Sequence, residues 1–272
     1  MIKNITKLQK WLEERSQLKI NLIMAAGFED RSLGSTLLLS NFGKFKFNKA
    51  IVIDYHEYEQ NESNRTRLLK LSKKVFNQVA VVDSEDLSSV PSEIEDSSDD
   101  SILLIDISGM SRILIFKMLY IVENLNSQYN IVYTEAEDYY PDTHFYNALK
   151  TQESDKILTA YDEIEDEDVI YSKECTVSQP QEFMGNHEPC NPSIFIGFLA
   201  FKRSRLRCIF SMYEFNERHL ILSVPDREDL KWRADLQKII NSDLINSRPS
   251  NLIELSTLYP YNVYEYLDNN PQ

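Results

Sequence analysis

Short apolar runs recur along the chain, each too short to be a buried helix and each running into a polar or glycine-bearing turn: KINLIMAA at 19–26, AIVIDY at 50–55 and ILLIDI at 102–107. A strand that is apolar throughout, and does not alternate with polar residues, needs cover on both faces of its sheet. Residues 78–82 and 130–134 read as two further strands, and stretches with helical spacing lie between, at 32–39, 62–75 and 111–126. Strands separated by helices require crossover connections, so residues 1–150 are expected to form a Rossmann-like parallel α/β lobe. Ahead of the first strand, Ile5, Leu8, Trp11 and Leu12 share one face of a short amphipathic helix.

The alternation resumes late in the chain, with strands expected at 193–200, 219–224 and 251–256 and helices at 202–213, 226–241 and 261–267. A second, smaller Rossmann-like lobe at 193–272 follows. Laying Gly27-Phe28-Glu29-Asp30 on Ala200-Phe201-Lys202-Arg203 brings the second strands of the two lobes into register. That points to a degenerate internal duplication, set against the general likeness of all βα units. Residues 151–192 read as an acidic linker: 153–174 carries nine acids against two lysines, and 179–192 holds three of the nine prolines. Residues 85–100, with seven acids, five serines and no base, read as a mobile surface loop.

Composition removes several function classes. The 272 residues carry 29 basic and 43 acidic side chains, a net charge of −14 that repels phosphate backbones, so broad nucleic-acid binding is not expected. Cys175, Cys190 and Cys208 lie far apart without a CxxC pair, as in a cytoplasmic protein with reduced thiols. His187 beside Cys190 supplies too few ligands for a metal site, and no metal is assigned. The polar N-terminus and the absence of any run of membrane-spanning length imply a cytoplasmic chain with no membrane partner. No GxGxxG, GxxxxGK[ST] or GxSxG pattern occurs, so hydride transfer, Walker-type ATP hydrolysis and elbow-serine catalysis lack their usual cradles, and no cofactor is named.

Ligands of open parallel sheets bind beyond the carboxyl ends of the strands, which directs attention to the loops there. After the first strand stand Gly27, Phe28, Glu29, Arg31 and Ser32; after the second, Asp54 and His56; after the fourth, Asp106, Ser108, Gly109, Ser111 and Arg112; after the fifth, Glu135, Glu137, Asp138, Tyr139 and Tyr140. Ser32 and Ser111 can cap helices, Arg31 and Arg112 offer forked donors to phosphate, and Gly27 and Gly109 allow close backbone approach. Asp54 or Asp106 could accept from a ribose hydroxyl. Glu29, Glu135 and Glu137 are the candidate acid and base of a hydrolase, and Tyr139 or Phe28 could stack on a base. The basic run Lys202–Arg207 is expected to pair with the acidic linker.

The segment Asp106-Ile107-Ser108-Gly109-Met110-Ser111-Arg112 resembles the ligand loop of CARF-type Rossmann domains, whose motif reads Thr/Ser-Gly-Gly-Thr-Lys/Arg; Ser108, Gly109, Ser111 and Arg112 match it and Met110 replaces the second Gly. Together with Gly27, Phe28, Glu29 and Arg31 it also resembles bacterial proteins carrying GFE-x-R and DIS-x-x-x-R motifs. The resemblance implies a setting in antiviral or other conflict systems. The expected function is a nucleotide-like ligand-binding sensor or regulatory subunit with a protein partner; the alternatives are a hydrolase of a nucleotide or N-glycosidic bond, and a structural subunit of a complex.

Overall fold

The computed structural model describes residues 10–15, 18–27, 29–43, 47–55, 62–95, 101–125, 128–136, 141–150, 152–153, 156–161, 177, 180–185, 191–247, 250–256 and 260–269. The chain divides into two compact units, Met1–Glu137 with Pro180–Phe183, and Asp138–Gln179 with Met184–Gln272.

In the first unit, β1 (Lys19–Ala25), β2 (Phe47–Asp54), β3 (Gln78–Asp83), β4 (Ser101–Asp106) and β5 (Tyr129–Val132) form one parallel sheet in the order β3-β2-β1-β4-β5. A 3-10 turn (Asp30–Leu33) leads into α1 (Gly34–Ser40); α2 (Glu62–Val75), α3 (Val90–Glu95) and α4 (Arg112–Asn124) complete the crossovers. Successive strand residues bury on opposite faces. Ile20, Leu22 and Met24 pack with Val52 and Leu104 against Leu33, Leu39 and Leu68. Ile23, Ile51 and Ile105 pack with Leu114, Met118 and Val122 of α4, which recur every fourth residue along that helix. The sheet is therefore doubly wound, as continuous apolar strands require.

The acidic stretch at 85–100, expected as a mobile loop, contains α3. Val90 and Ile94, one helical turn apart, are buried in the core, and Lys49 pairs with Glu93 at 2.5 Å. Two buried apolar side chains outweigh the acids around them, of which Glu85 and Asp86 are exposed and Glu93 is paired with Lys49.

In the second unit, β6 (Ile194–Phe198), β7 (Glu217–Ser223) and β8 (Ser250–Leu255) form a parallel three-stranded sheet in chain order. The helices described there are α5 (Thr143–Leu149), residues 156–161, α6 (Ser204–Met212), α7 (Trp232–Ile240), α8 (Ser242–Asn246) and α9 (Pro260–Asn269). Leu220 and Leu222 pack on Leu206, Ala234 and Leu244. Ile157 and Tyr161 are buried against Leu236 and Ile240, and Tyr146 stacks on Trp232. Helices at 143–149 and 156–161, which the sequence reading divided between first lobe and linker, thus pack in this unit. The order β6-β7-β8 parallels β1-β2-β3, an arrangement that any two consecutive crossovers to one side produce.

Candidate functional site

The strand order reverses between β1 and β4, so the topological switch point of the first sheet lies where the loops after these two strands leave it. The loops meet there. A Cβ on Gly27 would stand 2.7 Å from the Gly109 carbonyl oxygen, and one on Gly109 would stand 2.5 Å from the Ala25 oxygen and 2.8 Å from Ser32 Cβ. Each glycine is accounted for by the other loop's backbone, and the close approach once expected toward a ligand is an approach between loops. Gly34, opening α1, is held just as tightly against Thr134 beyond β5.

Beneath this knot lies Asp106, 1% exposed. Its Oδ1 accepts from the Ser108 backbone N–H at 2.9 Å and the Ser108 hydroxyl at 2.5 Å, and Ser108 Oγ in turn accepts from Thr134 N–H at 2.7 Å. The chain ends of β4 and β5 are thereby tied together. Asp106 Oδ2 and the neighbouring Ser35 hydroxyl are both buried and interact without forming a hydrogen bond of ordinary geometry, and neither has another hydrogen-bond partner among the described residues. Burial pushes the Asp106 carboxyl above the ordinary range, against the downward pull of Ser108, Ser35 and the Arg31 charge.

Three ion pairs ring the same strand ends. Arg31 Nε pairs with Glu29, and Arg31 Nη1 donates to Tyr133 Oη at 2.8 Å. Burial opposes that guanidinium's charge, but Tyr133 and Glu29 outweigh it and hold its pKa above the ordinary value. Arg65 Nε donates to Asp54 Oδ2 at 2.5 Å, and Arg67 Nη1 reaches Asp30 at 2.9 Å and Asn64 Oδ1 at 3.3 Å. At the amino end of α4, Ser111 Oγ accepts from Leu114 N–H, and the Ser111 N–H donates to Tyr55 Oη at 2.7 Å.

The structure thus brings Gly27, Glu29, Arg31, Ser32, Asp106, Ser108 and Gly109 into one contiguous cluster, with Ser111 capping α4 at the end of the same loop. Asp54 and Asp106, expected to face a ligand hydroxyl, are each buried to 1% exposure and engaged within the fold; they hold Arg65 and Ser108 in place. Arg112 is exposed in the first turn of α4. Glu135 is exposed and makes no hydrogen bond or ion pair among the described residues. Phe28, His56, Glu137, Asp138, Tyr139 and Tyr140 lie outside the described residues. No group of three metal-ligating side chains occurs among the described residues. The basic run at 202–207 is engaged locally: Arg203 donates to the Ile240 carbonyl at 3.0 Å, and Arg207 pairs with Asp243 at 2.7 Å.

Arg65, Arg67, Asn64, Tyr133 and Ser35 did not stand out in the sequence. Arg65 and Arg67 lie in ESNRTR, at the opening of α2. The opening of a helix entered from a strand's carboxyl end lies at the same rim as the loop, so the basic pair in ESNRTR is the signal that marks them.

Comparison with protein-family models, curated proteins and solved structures finds no match to the chain. The chemistry is therefore read from the cluster alone. A half-buried guanidinium is fixed from one side by a phenol and neutralised by the more exposed Glu29. A phosphate offers a guanidinium the same forked acceptor geometry as a carboxylate does.

Proposed function

We propose that the first unit binds a nucleotide-like, phosphate-bearing small molecule at the switch point and acts as a sensor or regulatory subunit. The observation that carries this reading is Arg31, aimed by Tyr133 and held by Glu29 beside the interlocked Gly27 and Gly109 loops. The ligand phosphate takes the place of the Glu29 carboxylate on Arg31, with Arg112 and the positive amino end of α4 adding attraction. The GFE-x-R and DIS-x-x-x-R resemblance adds a defence-system setting and a protein partner that reads the bound state.

The test is a thermal-shift panel of nucleotides, dinucleotides and cyclic oligonucleotides. A true ligand at 100 times its dissociation constant stabilises the chain by about 2.7 kcal/mol. Arg31→Gln abolishes the shift while leaving the far-ultraviolet circular dichroism unchanged, and Glu29→Gln strengthens binding by removing the competing carboxylate. A panel without any shift, or a shift that survives Arg31→Gln, refutes the reading.

A further inference from the structure

Apolar residues occupy two faces of α4. Leu114, Met118 and Val122 are buried against the sheet, and on the opposite side Ile113, Phe116 and Tyr120 form a second stripe, each more than a third exposed. The outward face of a helix that covers a sheet is ordinarily polar, so a stripe of this kind calls for a cover of its own. Part of that cover comes from far along the chain. Pro180–Phe183 belongs to the first unit, whereas the residues on either side of it, Asp138–Gln179 and Met184–Gln272, belong to the second. Within this short return Gln181–Phe183 forms a 3-10 turn, closed by the Phe183 N–H donating to the Pro180 carbonyl at 3.1 Å. The turn sets the Phe183 ring edge-on to two members of the stripe, with centroids 5.4 Å from Phe116 and 5.8 Å from Tyr120 and interplanar angles of 65° and 69°. Both pairs have the favoured geometry of aromatic contacts.

The strap is held by that one ring. Gln181, Glu182 and Phe183 make no side-chain hydrogen bond or ion pair among the described residues, and Phe183 is still 50% exposed. Two ring contacts, made by a residue half in water, have to offset the ordering of the strap backbone and of the phenylalanine side chain. Pro180, whose φ is fixed already, lowers that cost. Gain and cost are of the same order, so the seated and unseated strap differ little in free energy. That is the condition for a two-state element.

We infer that Pro180–Phe183 is a releasable clasp, which seats Phe183 on the outer stripe of α4 and uncovers Phe116 and Tyr120 when it lets go. The contact is autoinhibitory, because any other aromatic segment must displace Phe183 to reach the stripe. It is independent of the switch-point reading, since its closure involves only the strap and the outward face of α4.

The test uses the ¹⁵N-labelled full-length chain carrying Phe183→Ala, an exposed substitution, titrated with a synthetic peptide of residues Pro180–Gly185. Saturable amide shifts confined to Ile113, Phe116, Lys117 and Tyr120 are expected, and a peptide with alanine in place of its phenylalanine should give none. The wild-type chain, whose own strap competes, is expected to bind the same peptide about tenfold more weakly, as for a clasp closed roughly nine times in ten. Phe116→Ala, added to Phe183→Ala, should abolish the shifts. Equal affinity of the wild type and Phe183→Ala would show that the strap does not occupy the stripe, and a wild type that never binds would show that it does not release. Either result overturns the proposal, as does a Phe183→Ala chain without saturable binding on α4.

Discussion

The two sheets are built from the same kind of unit but treat polar groups differently. In the first, β1 and β2 are buried along nearly their whole length, and the charged groups that end the strands are drawn into a knot of loops at the carboxyl edge. In the second, only β7 is sealed; Ile196 and Phe198 of β6 stay exposed, and a histidine, a carboxylate and a carboxamide sit on the sheet itself. Five strands with helices on both faces bury the central strands almost completely, and the polar residues inside them, Asn21 of β1 and Lys49 of β2, are met by Asn48 and Glu93. In the three-stranded sheet the buried His219 is met by the half-exposed Glu217 two residues away and by Tyr266 of α9.

The glycines give the largest expected contrast. Gly109→Ala sets a Cβ 2.5 Å from the Ala25 oxygen, on backbone that β1 holds through pairing with β2 and β4, so nothing nearby can yield. A loss of about 3 kcal/mol is expected, the upper part of the range for overpacking. In Gly197→Ala the new Cβ meets the ring edge of Phe195, a side chain that can turn, and the cost is expected near 1 kcal/mol. Chemical denaturation resolves the two because Trp11 and Trp232 report separately on the first and second units. Equal costs would mean that the switch-point loops are no more rigid than the β6 edge.

Second in size is the network on β7. His219→Ala leaves the buried side of Tyr266 Oη and of Glu217 without the imidazole that joined them, a loss of about 2 kcal/mol. It should appear in the Trp232 transition alone and speed hydrogen exchange along α9, which the histidine ties to the sheet. A loss reported equally by Trp11 would break the separation of the two units that the comparison assumes.

How much of this was legible beforehand follows from what sequence pattern encodes. AIVIDY and ILLIDI show where apolar strands end in a carboxylate, so Asp54 and Asp106 could be placed at strand ends before any fold was known. Their burial was not legible, because Arg65, Ser108 and Ser35 engage or surround them through the order β3-β2-β1-β4-β5, which pattern does not state. For the same reason Gly27 and Gly109 were visible as special positions but not as each other's neighbours. Val90 and Ile94 were hidden by composition: two apolar residues among seven acids vanish in an average yet decide a helix once a core lies beneath them. Ile157 and Tyr161 were masked in the same way by the acids around them.

The smallest expected effect runs in the opposite direction from the others. Asp106 has its folded-state pKa raised by burial, so the native state binds the proton more tightly than the unfolded chain does. Below the ordinary carboxylate range both states are protonated and the group is neutral for stability; as pH rises through the folded-state value, the buried ionised form becomes a growing penalty. Asp106→Asn keeps an acceptor for the Ser108 N–H and places an amide donor beside the Ser35 hydroxyl, which has no hydrogen bond of ordinary geometry among the described residues. The variant is therefore expected to gain on the wild type as pH increases, by on the order of 1 kcal/mol at neutral pH, the cost of one unsatisfied buried polar group. Denaturant midpoints of the first unit between acid and neutral pH measure it. A difference that shrinks toward neutral pH would mean that the Arg31 charge, and not burial, governs this carboxylate, and would move Asp106 from the buried floor of the switch point to its electrostatics.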